Sequence, residues 1–345
     1  VSTQRVLVCE DSPVYAAALI RLLEQDGDIK VSAVCTTAAE AIAALPRVRP
    51  DLVTMDLELP DMNGLKAVEE IMGSRPLPIL VLSGLVGMES GMSASALAFG
   101  ALDALAKDDI GLRDPAGPAA VAFRRRVRIL SRATVIRHLR AGLKARPDGQ
   151  ELTHRASVIG VCSSTGGPQV LVRVLSGLPA DYPIPVLVVQ HIGAGFTEGL
   201  ADWLNQVVRL PVGVAQDGAR ARAGIWIAPS GAHLTLTSTG LLRLDRSSAP
   251  GPHCPSGNVL LESIATAAGR TGVAIVLTGM GSDGAAGAAA VRRGGGLAMA
   301  QDQASSAVFG MPQAAIDQGV ELVLSPAQIV TTLLGLQHVP FRVAR

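Results

Sequence analysis

Aromatic residues are scarce in this chain, at 3% of 345 residues, with two Trp, two Tyr and five Phe. Its cores must therefore be aliphatic, and a hydrophobic content of 48% supplies enough Ala, Val, Leu and Ile to build them. A dominant charge is also missing. Lys and Arg number 30 against 29 Asp and Glu, a net charge of +1, so no overall field points to nucleic acid or an anionic membrane. No apolar run reaches the roughly 18 residues that a membrane-spanning helix needs. Cysteines are few and scattered. Cys9, Cys35, Cys162 and Cys254 make neither a disulfide framework nor a CxxC clip, so a reduced, cytoplasmic setting is expected. The opening VSTQRVLVCEDS reads as a strand running into acids rather than as a signal peptide.

What is present is alternation. Through residue 110, short apolar runs alternate with amphipathic stretches, which predicts a parallel α/β sheet. Strands are expected at Arg5–Cys9, Val31–Cys35, Leu52–Met55, Ile79–Leu82 and Ala101–Ala106, giving a doubly wound domain of the flavodoxin-like type. Residues 111–155 change character and read as a basic linker. Arg124, Arg125, Arg126, Arg128, Arg132, Arg137, Arg140, Lys144 and Arg146 accompany apolar Val127, Leu130, Val135, Leu139 and Leu143 at helical spacing, with a stop at Arg146–Gly149. A second α/β pattern fills 156–345. It predicts a Rossmann-like, mainly parallel sheet of roughly seven strands, with a hairpin around Ser238-Thr239-Gly240.

Acids collect at the strand ends of the first domain. Glu10 and Asp11 follow its first strand and Asp56 ends its third, while Ser83 and Lys107 follow the fourth and fifth. In an open parallel sheet those ends line one crevice. Clustered carboxylates need a counter-charge, and oxygen ligands of this kind suit Mg²⁺. A lysine and a hydroxyl can then hold the oxygens of a phosphoryl group.

The second domain offers a nucleophile. In Val161-Cys162-Ser163-Ser164-Thr165-Gly166-Gly167-Pro168 a serine sits at a strand end, before glycines and a helix start. Backbone N–H groups at such a turn can hold an oxyanion. A serine needs a base, and His191 ends the strand Val186–Gln190. Asp283, in Gly279-Met280-Gly281-Ser282-Asp283-Gly284, supplies an orienting carboxylate, completing a triad geometry. The chain order Ser–His–Asp and Cys162 at the first position of the G-x-S-x-G pattern disfavour the α/β-hydrolase fold. The glycines fit neither G-x-G-x-x-G nor a P-loop. A metal site at His233, His253 and Cys254 lacks regular ligand spacing, and no helix-turn-helix pattern accompanies the basic linker.

Residues 3–108 resemble the receiver domain of two-component response regulators, through Glu10-Asp11, Asp56-Leu57-Glu58-Leu59-Pro60, Asn63-Gly64, Ser83 and Lys107. The resemblance implies that Asp56 accepts a phosphoryl group, that Glu10 and Asp11 hold Mg²⁺ with Asp56, and that Ser83 and Lys107 switch with the phosphate. Ala104 stands where receivers usually carry an aromatic, and Asp108 where a proline usually follows the lysine. Residues 157–325 are similar to CheB-type chemotaxis protein-glutamate methylesterases, through Ser163–Pro168, Gln190-His191, Ile227-Ala228-Pro229, His233-Leu234, Gly279–Gly284 and Ser306–Pro312. That resemblance implies Ser164 as nucleophile, His191 as general base, Asp283 as its orienting residue, and N–H groups near Thr165 and Met280 as oxyanion donors, with no cofactor in this domain. It further implies chemoreceptor methyl esters as substrate, deamidation of certain glutamines, a histidine kinase as partner, and a receiver that restrains the esterase until phosphorylated. The alternative from another class is a degenerate esterase acting as a phosphorylation-gated binding module. One segment departs from the family, reading His253-Cys254-Pro255-Ser256-Gly257-Asn258 where members usually carry His-Arg-Pro-Ser-Val-Asp. Altered substrate contacts or packing are expected there, with the triad itself untouched.

Overall fold

The computed structural model describes residues 3–84, 96–97, 99–133, 135, 154–193, 195–246 and 253–341. Two compact units divide the chain, Val1–Leu139 with Ile192–Gly199, and Arg140–His191 with Leu200–Arg345.

The first unit holds a five-stranded parallel sheet in the order β2-β1-β3-β4-β5, from β1 (Gln4–Cys9), β2 (Ile29–Cys35), β3 (Leu52–Asp56), β4 (Ile79–Ser83) and β5 (Asp103–Ala106). Helices α1 (Pro13–Glu24), α2 (Ala38–Val48) and α3 (Gly64–Ser74) connect β1 to β4. Apart from the exposed Arg5, β1, β3 and β4 are buried on both faces and largely apolar, as expected for inner strands of a parallel sheet covered by helices. Each helix start carries its own signal. The side chains of Ser12, Thr37 and Asn63 accept from backbone N–H groups of the first turns, and Pro13 opens α1. Gly64 is required by close approach, since a Cβ there would lie 2.3 Å from the carbonyl oxygen of Asp56.

The basic stretch after residue 110 begins in a helix, α4 (Pro118–Leu130), which buries Phe123, Val127 and Leu130. Its arginines are not simply solvated: Arg124 Nε lies 2.8 Å from Asp26 Oδ2, and Arg128 Nε lies 2.6 Å from Asp28 Oδ2. Residues 136–153, including the Arg146–Gly149 stop, lie outside the described residues.

The second unit carries a seven-stranded sheet in the order β15-β14-β13-β7-β8-β10-β9, with all six pairings parallel. Its strands are β7 (Val158–Ser163), β8 (Val186–Gln190), β9 (Val212–Val214), β10 (Ile225–Ile227), β13 (Gly272–Val276), β14 (Leu297–Gln301) and β15 (Leu322–Leu324). A two-residue β6 (Arg155–Ala156) pairs separately with β16 (Gln337–His338). The expected hairpin forms as β11 (His233–Leu236) and β12 (Leu242–Asp245), but as a separate two-stranded sheet. The three-residue edge strand β9 was not expected, because so short and half-exposed a run has no periodicity to read.

Alternation along β7 divides the core. Ile159 and Val161 face one apolar layer with α5 (Gly167–Leu175), α6 (Thr197–Val207) and α10 (Pro326–Leu334). Val158 and Cys162 face the other, with α7 (Gly257–Ala268), α8 (Ala285–Arg293) and α9 (Gly310–Asp317). Gly160 lets α7 approach, because a Cβ there would meet Leu261 Cδ2 at 2.5 Å and Ile264 Cδ1 at 2.6 Å. Leu260, Leu261 and Ile264 are fully buried on that face. Each contributes about 1.5–3 kcal/mol of transfer free energy, and together they fix where the N-terminus of α7 ends up.

Among the described residues, no helix is long and apolar enough to cross a membrane.

Candidate active site and acidic pocket

Strand register assembles the acidic pocket. Cys9 pairs with Met55, which brings the following residues, Glu10 and Asp56, side by side. Asp56 pairs with Leu82, one residue before Ser83, and Ser83 pairs with Ala106, one residue before Lys107. The Lys107 ammonium lies 2.7 Å from Glu10 Oε2 and 2.7 Å from Asp56 Oδ2. It also sits 4.6 Å from the centre of the Tyr15 ring. Asp56 Oδ1 accepts from the Glu58 backbone N–H at 3.1 Å. Glu10 and Asp56 are buried and Asp11 is exposed, and one ligand oxygen from each lies within 4.8 Å of the others. Burial pushes the Glu10 carboxyl up, opposed by its bond to Lys107 and reinforced by the neighbouring Asp56 charge. Burial pulls the Lys107 ammonium down, but its bonds to Asp56 and Glu10 leave it raised overall. All five residues expected from the sequence thus come to one edge of the sheet, and the donor set suits a hard divalent cation. Among the described residues this is the one group of acids, histidines or cysteines with metal-ligand spacing. His233 is committed elsewhere, its Nδ1 accepting from the Ser256 N–H at 3.0 Å.

The second cluster lies where β7 has β8 on one side and β13 on the other, the switch point of this sheet. Ser163 pairs with Gln190, and the His191 N–H donates to Ser163 O at 2.9 Å, so Ser164 and His191 leave adjacent strand ends together. Ser164 is 5% exposed at this switch point. His191 Nε2 lies 2.8 Å from Asp283 Oδ2, which leaves Nδ1 as the nitrogen available for proton transfer in this ring orientation. The extension of β13 runs beside the serine, with the Ser164 N–H donating to Thr278 O at 3.0 Å. The Gly279 N–H donates to Val308 O at 2.9 Å. Thr165 and Met280, the oxyanion candidates, directly follow these two residues in the chain.

Asp283 lies beyond the end of β13 rather than at a strand end. It stands in the turn before α8, and its carboxylate caps the start of α7. Oδ1 accepts from Ser256 Oγ at 2.8 Å and from the Asn258 N–H at 2.9 Å, while Oδ2 accepts from the Gly257 N–H at 2.6 Å and from His191. Burial pushes this carboxyl up, but the bonds from His191, Asn258 and Gly257 outweigh it and hold the group well below the usual carboxylate range. The departing 253–258 segment therefore contacts Asp283 directly. Backbone N–H groups make two of its contacts, so the changes at 257 and 258 leave the carboxylate's donors in place. Asn258 still uses its side chain, accepting from the Gly287 N–H at 3.0 Å to tie α7 to α8.

Gln190, to which the sequence assigned no role, braces the serine and histidine together. Its Nε2 donates to Ser164 O at 2.8 Å and to His191 O at 2.9 Å, and its Oε1 accepts from Ser163 Oγ at 2.6 Å. Its signs in the sequence were its place as the last residue of an apolar strand and its part in the Gln190-His191 motif. Gln190→Leu keeps the volume but takes the acceptor from the buried Ser163 hydroxyl, at a cost of about 1–3 kcal/mol, and a donor from the half-buried His191 carbonyl, while Ser164 O keeps the Gly167 N–H at 2.8 Å. We expect a loss of about 1–3 kcal/mol in denaturant unfolding, together with slower turnover. Unchanged stability would show that the Ser163 hydroxyl and the His191 carbonyl find other partners.

A receiver-type acidic pocket on one sheet and a serine–histidine–aspartate cluster on the other define a serine hydrolase of the response-regulator class. Residues 159–333 match the family described as CheB methylesterase, and residues 6–111 the response regulator receiver domain. A protein-glutamate methylesterase/protein-glutamine glutaminase 3 of Myxococcus xanthus is 40% identical over 350 residues, covering 99% of this chain and 96% of the relative. A protein-glutamate methylesterase/protein-glutamine glutaminase 2 of Anaeromyxobacter dehalogenans is 42% identical over 335 residues, covering 96% of each. The crystal structure of the Thermotoga maritima CheB methylesterase catalytic domain is similar at a TM-score of 0.50 and 36% identity, covering 52% of this chain and 97% of that one. The chain belongs to the CheB methylesterase family.

Proposed function

We propose that this protein hydrolyses glutamate γ-methyl esters on chemoreceptors and deamidates particular receptor glutamines, under control of phosphorylation at Asp56. The observation that carries the reading is the pairing of His191 with Asp283 at 2.8 Å beside the strand end that bears Ser164. The names of the relatives supply the substrate class. In this reading residues 1–110 are the receiver, 156–345 the catalytic domain, and 111–155 the basic segment that joins them. The setting is cytoplasmic, and the partners are the cytoplasmic helices of methyl-accepting receptors and the histidine kinase of the same system.

Ser164 Oγ attacks the ester carbonyl as His191 takes its proton, and Asp283 keeps the imidazole oriented and stabilises the imidazolium. N–H groups of Thr165 and Met280 receive the oxyanion. His191 then protonates the departing methoxide, which leaves as methanol. Water, deprotonated by His191, attacks the acyl-enzyme, releasing a glutamate carboxylate and restoring the Ser164 hydroxyl. With a glutamine the same steps expel ammonia. In the receiver, Glu10, Asp11 and Asp56 would hold Mg²⁺, which when bound neutralises charge around the incoming phosphoryl group. Ser83 and Lys107 would take the phosphoryl oxygens.

The test is methanol release from methylated receptor membranes, with and without a small-molecule phosphodonor and Mg²⁺. The donor is expected to raise the rate by a factor within the range of about 5–150 usual for coupled sites. Asp56→Asn should retain the unstimulated rate and lose the increase. An Asp56→Asn chain that still responds would place the phosphoacceptor elsewhere.

A further inference from the structure

A face-to-face contact lies on the base that hydrolysis does not itself require. The His253 ring stacks on the His191 ring with centroids 4.3 Å apart and planes inclined by 14°. A hydrogen bond from His191 Nε2 to Asp283 fixes the position of one nitrogen. It leaves the ring able to rock about that bond, which would swing the opposite nitrogen toward or away from Ser164. A second ring lying flat on the first removes that motion. His253 is itself held near the site from below, because Ser256, three residues on, donates to Asp283 Oδ1 at 2.8 Å and its backbone N–H bonds the buried His233. One short segment therefore grips the carboxylate with its end and the imidazole face with its start.

We propose that His253 is a positioning residue for the esterase reaction, acting through His191 by holding the plane of the imidazole. The role rests on the reading of His191 as the general base. It needs an aromatic face and no proton transfer by His253. Misplacing a reacting group by about 1 Å can cost about 100-fold in rate, so loss of the stack should appear in kcat rather than in KM.

Three full-length variants test this by methanol release from methylated receptor membranes, each checked for folding by thermal unfolding. His253→Ala and His253→Gln both remove the ring, and each is expected to lower kcat by about 10–100-fold with little change in KM. His253→Phe keeps the stack and is expected to stay close to the unsubstituted rate. An alanine variant as fast as the unsubstituted chain overturns the proposal. So does a phenylalanine variant as slow as alanine, or rescue by glutamine without rescue by phenylalanine, since either result would place the role in the polar atoms. If the alanine chain fails to fold, the phenylalanine–glutamine comparison still decides. An unsubstituted chain that releases no methanol under any condition sinks the esterase reading itself, whereas an active chain indifferent to His253 sinks this inference alone.

Discussion

Ser164→Ala is expected to reduce methanol release from methylated receptors to background, a loss of at least about 10³-fold, while the chain remains folded. Triad members act as a unit, so removing the nucleophile removes the covalent route entirely and leaves only binding and oxyanion stabilisation. The folded state should tolerate the change. Among the backbone contacts around residue 164, the N–H to Thr278 O and the carbonyl to Gln190 Nε2 do not involve the hydroxyl. A Cβ is also retained at the position, so the close packing of Gly279, whose own Cβ would lie 2.7 Å from Ser164 Cβ, is undisturbed. Receptor binding measured by co-sedimentation should survive. Methanol release that survives as well would sink the esterase reading, and would move the chemistry away from this strand end.

Asp283→Asn should be nearly as severe. All four contacts on this carboxylate come from donors: Ser256 Oγ, the Gly257 and Asn258 N–H groups, and His191. An asparagine must turn its own N–H₂ toward some of them, leaving donors facing donors, and it no longer selects the His191 tautomer. A fall in kcat of about 10⁴-fold is expected, the scale seen when a triad aspartate loses its charge. The same substitution makes a pH-dependent stability prediction. Because the Asp283 carboxyl titrates lower in the folded chain than in the unfolded one, it contributes stability above the ordinary aspartate value of about 3.9 and loses it as pH falls below that value. The stability gap between the two chains should therefore be full at pH 7 and shrink below about pH 4. A gap measured by denaturant unfolding that stayed constant to about pH 3 would mean that the carboxylate's contacts confer no net preference for its charged form.

The strands were legible because inner strands of parallel sheets are continuous aliphatic runs. Arg5–Cys9 and Val186–Gln190 could be read almost residue by residue, and the structure starts the first at Gln4 and both end as expected. Ser12 and Asn63 carry the capping chemistry of α1 and α3 locally, each side chain accepting from a first-turn N–H. β9 was illegible because three half-exposed residues at a sheet edge have no pattern of their own. The ion pairs of the α4 arginines were not legible because their partners, Asp26 and Asp28, lie about a hundred residues earlier in the chain.

The site divides along the same line. Ser164, His191, Asp56 and Lys107 could be chosen from sequence because each follows an apolar strand directly, and parallel sheets bring such ends to one crevice. Asp283 could be chosen from its glycine-rich turn, but not what holds it. The support comes from the N-terminus of α7, a helix whose approach depends on Gly160 having no side chain against Leu261 and Ile264. Likewise the Gln190 brace and the His253 stack join residues from different strands and loops. Hydrophobic periodicity is a local property, and it determined which elements form and which residues end them. Hydrogen bonds to the Asp283 carboxylate and the stacking on His191 are set by distance between elements, and only tertiary packing decides that.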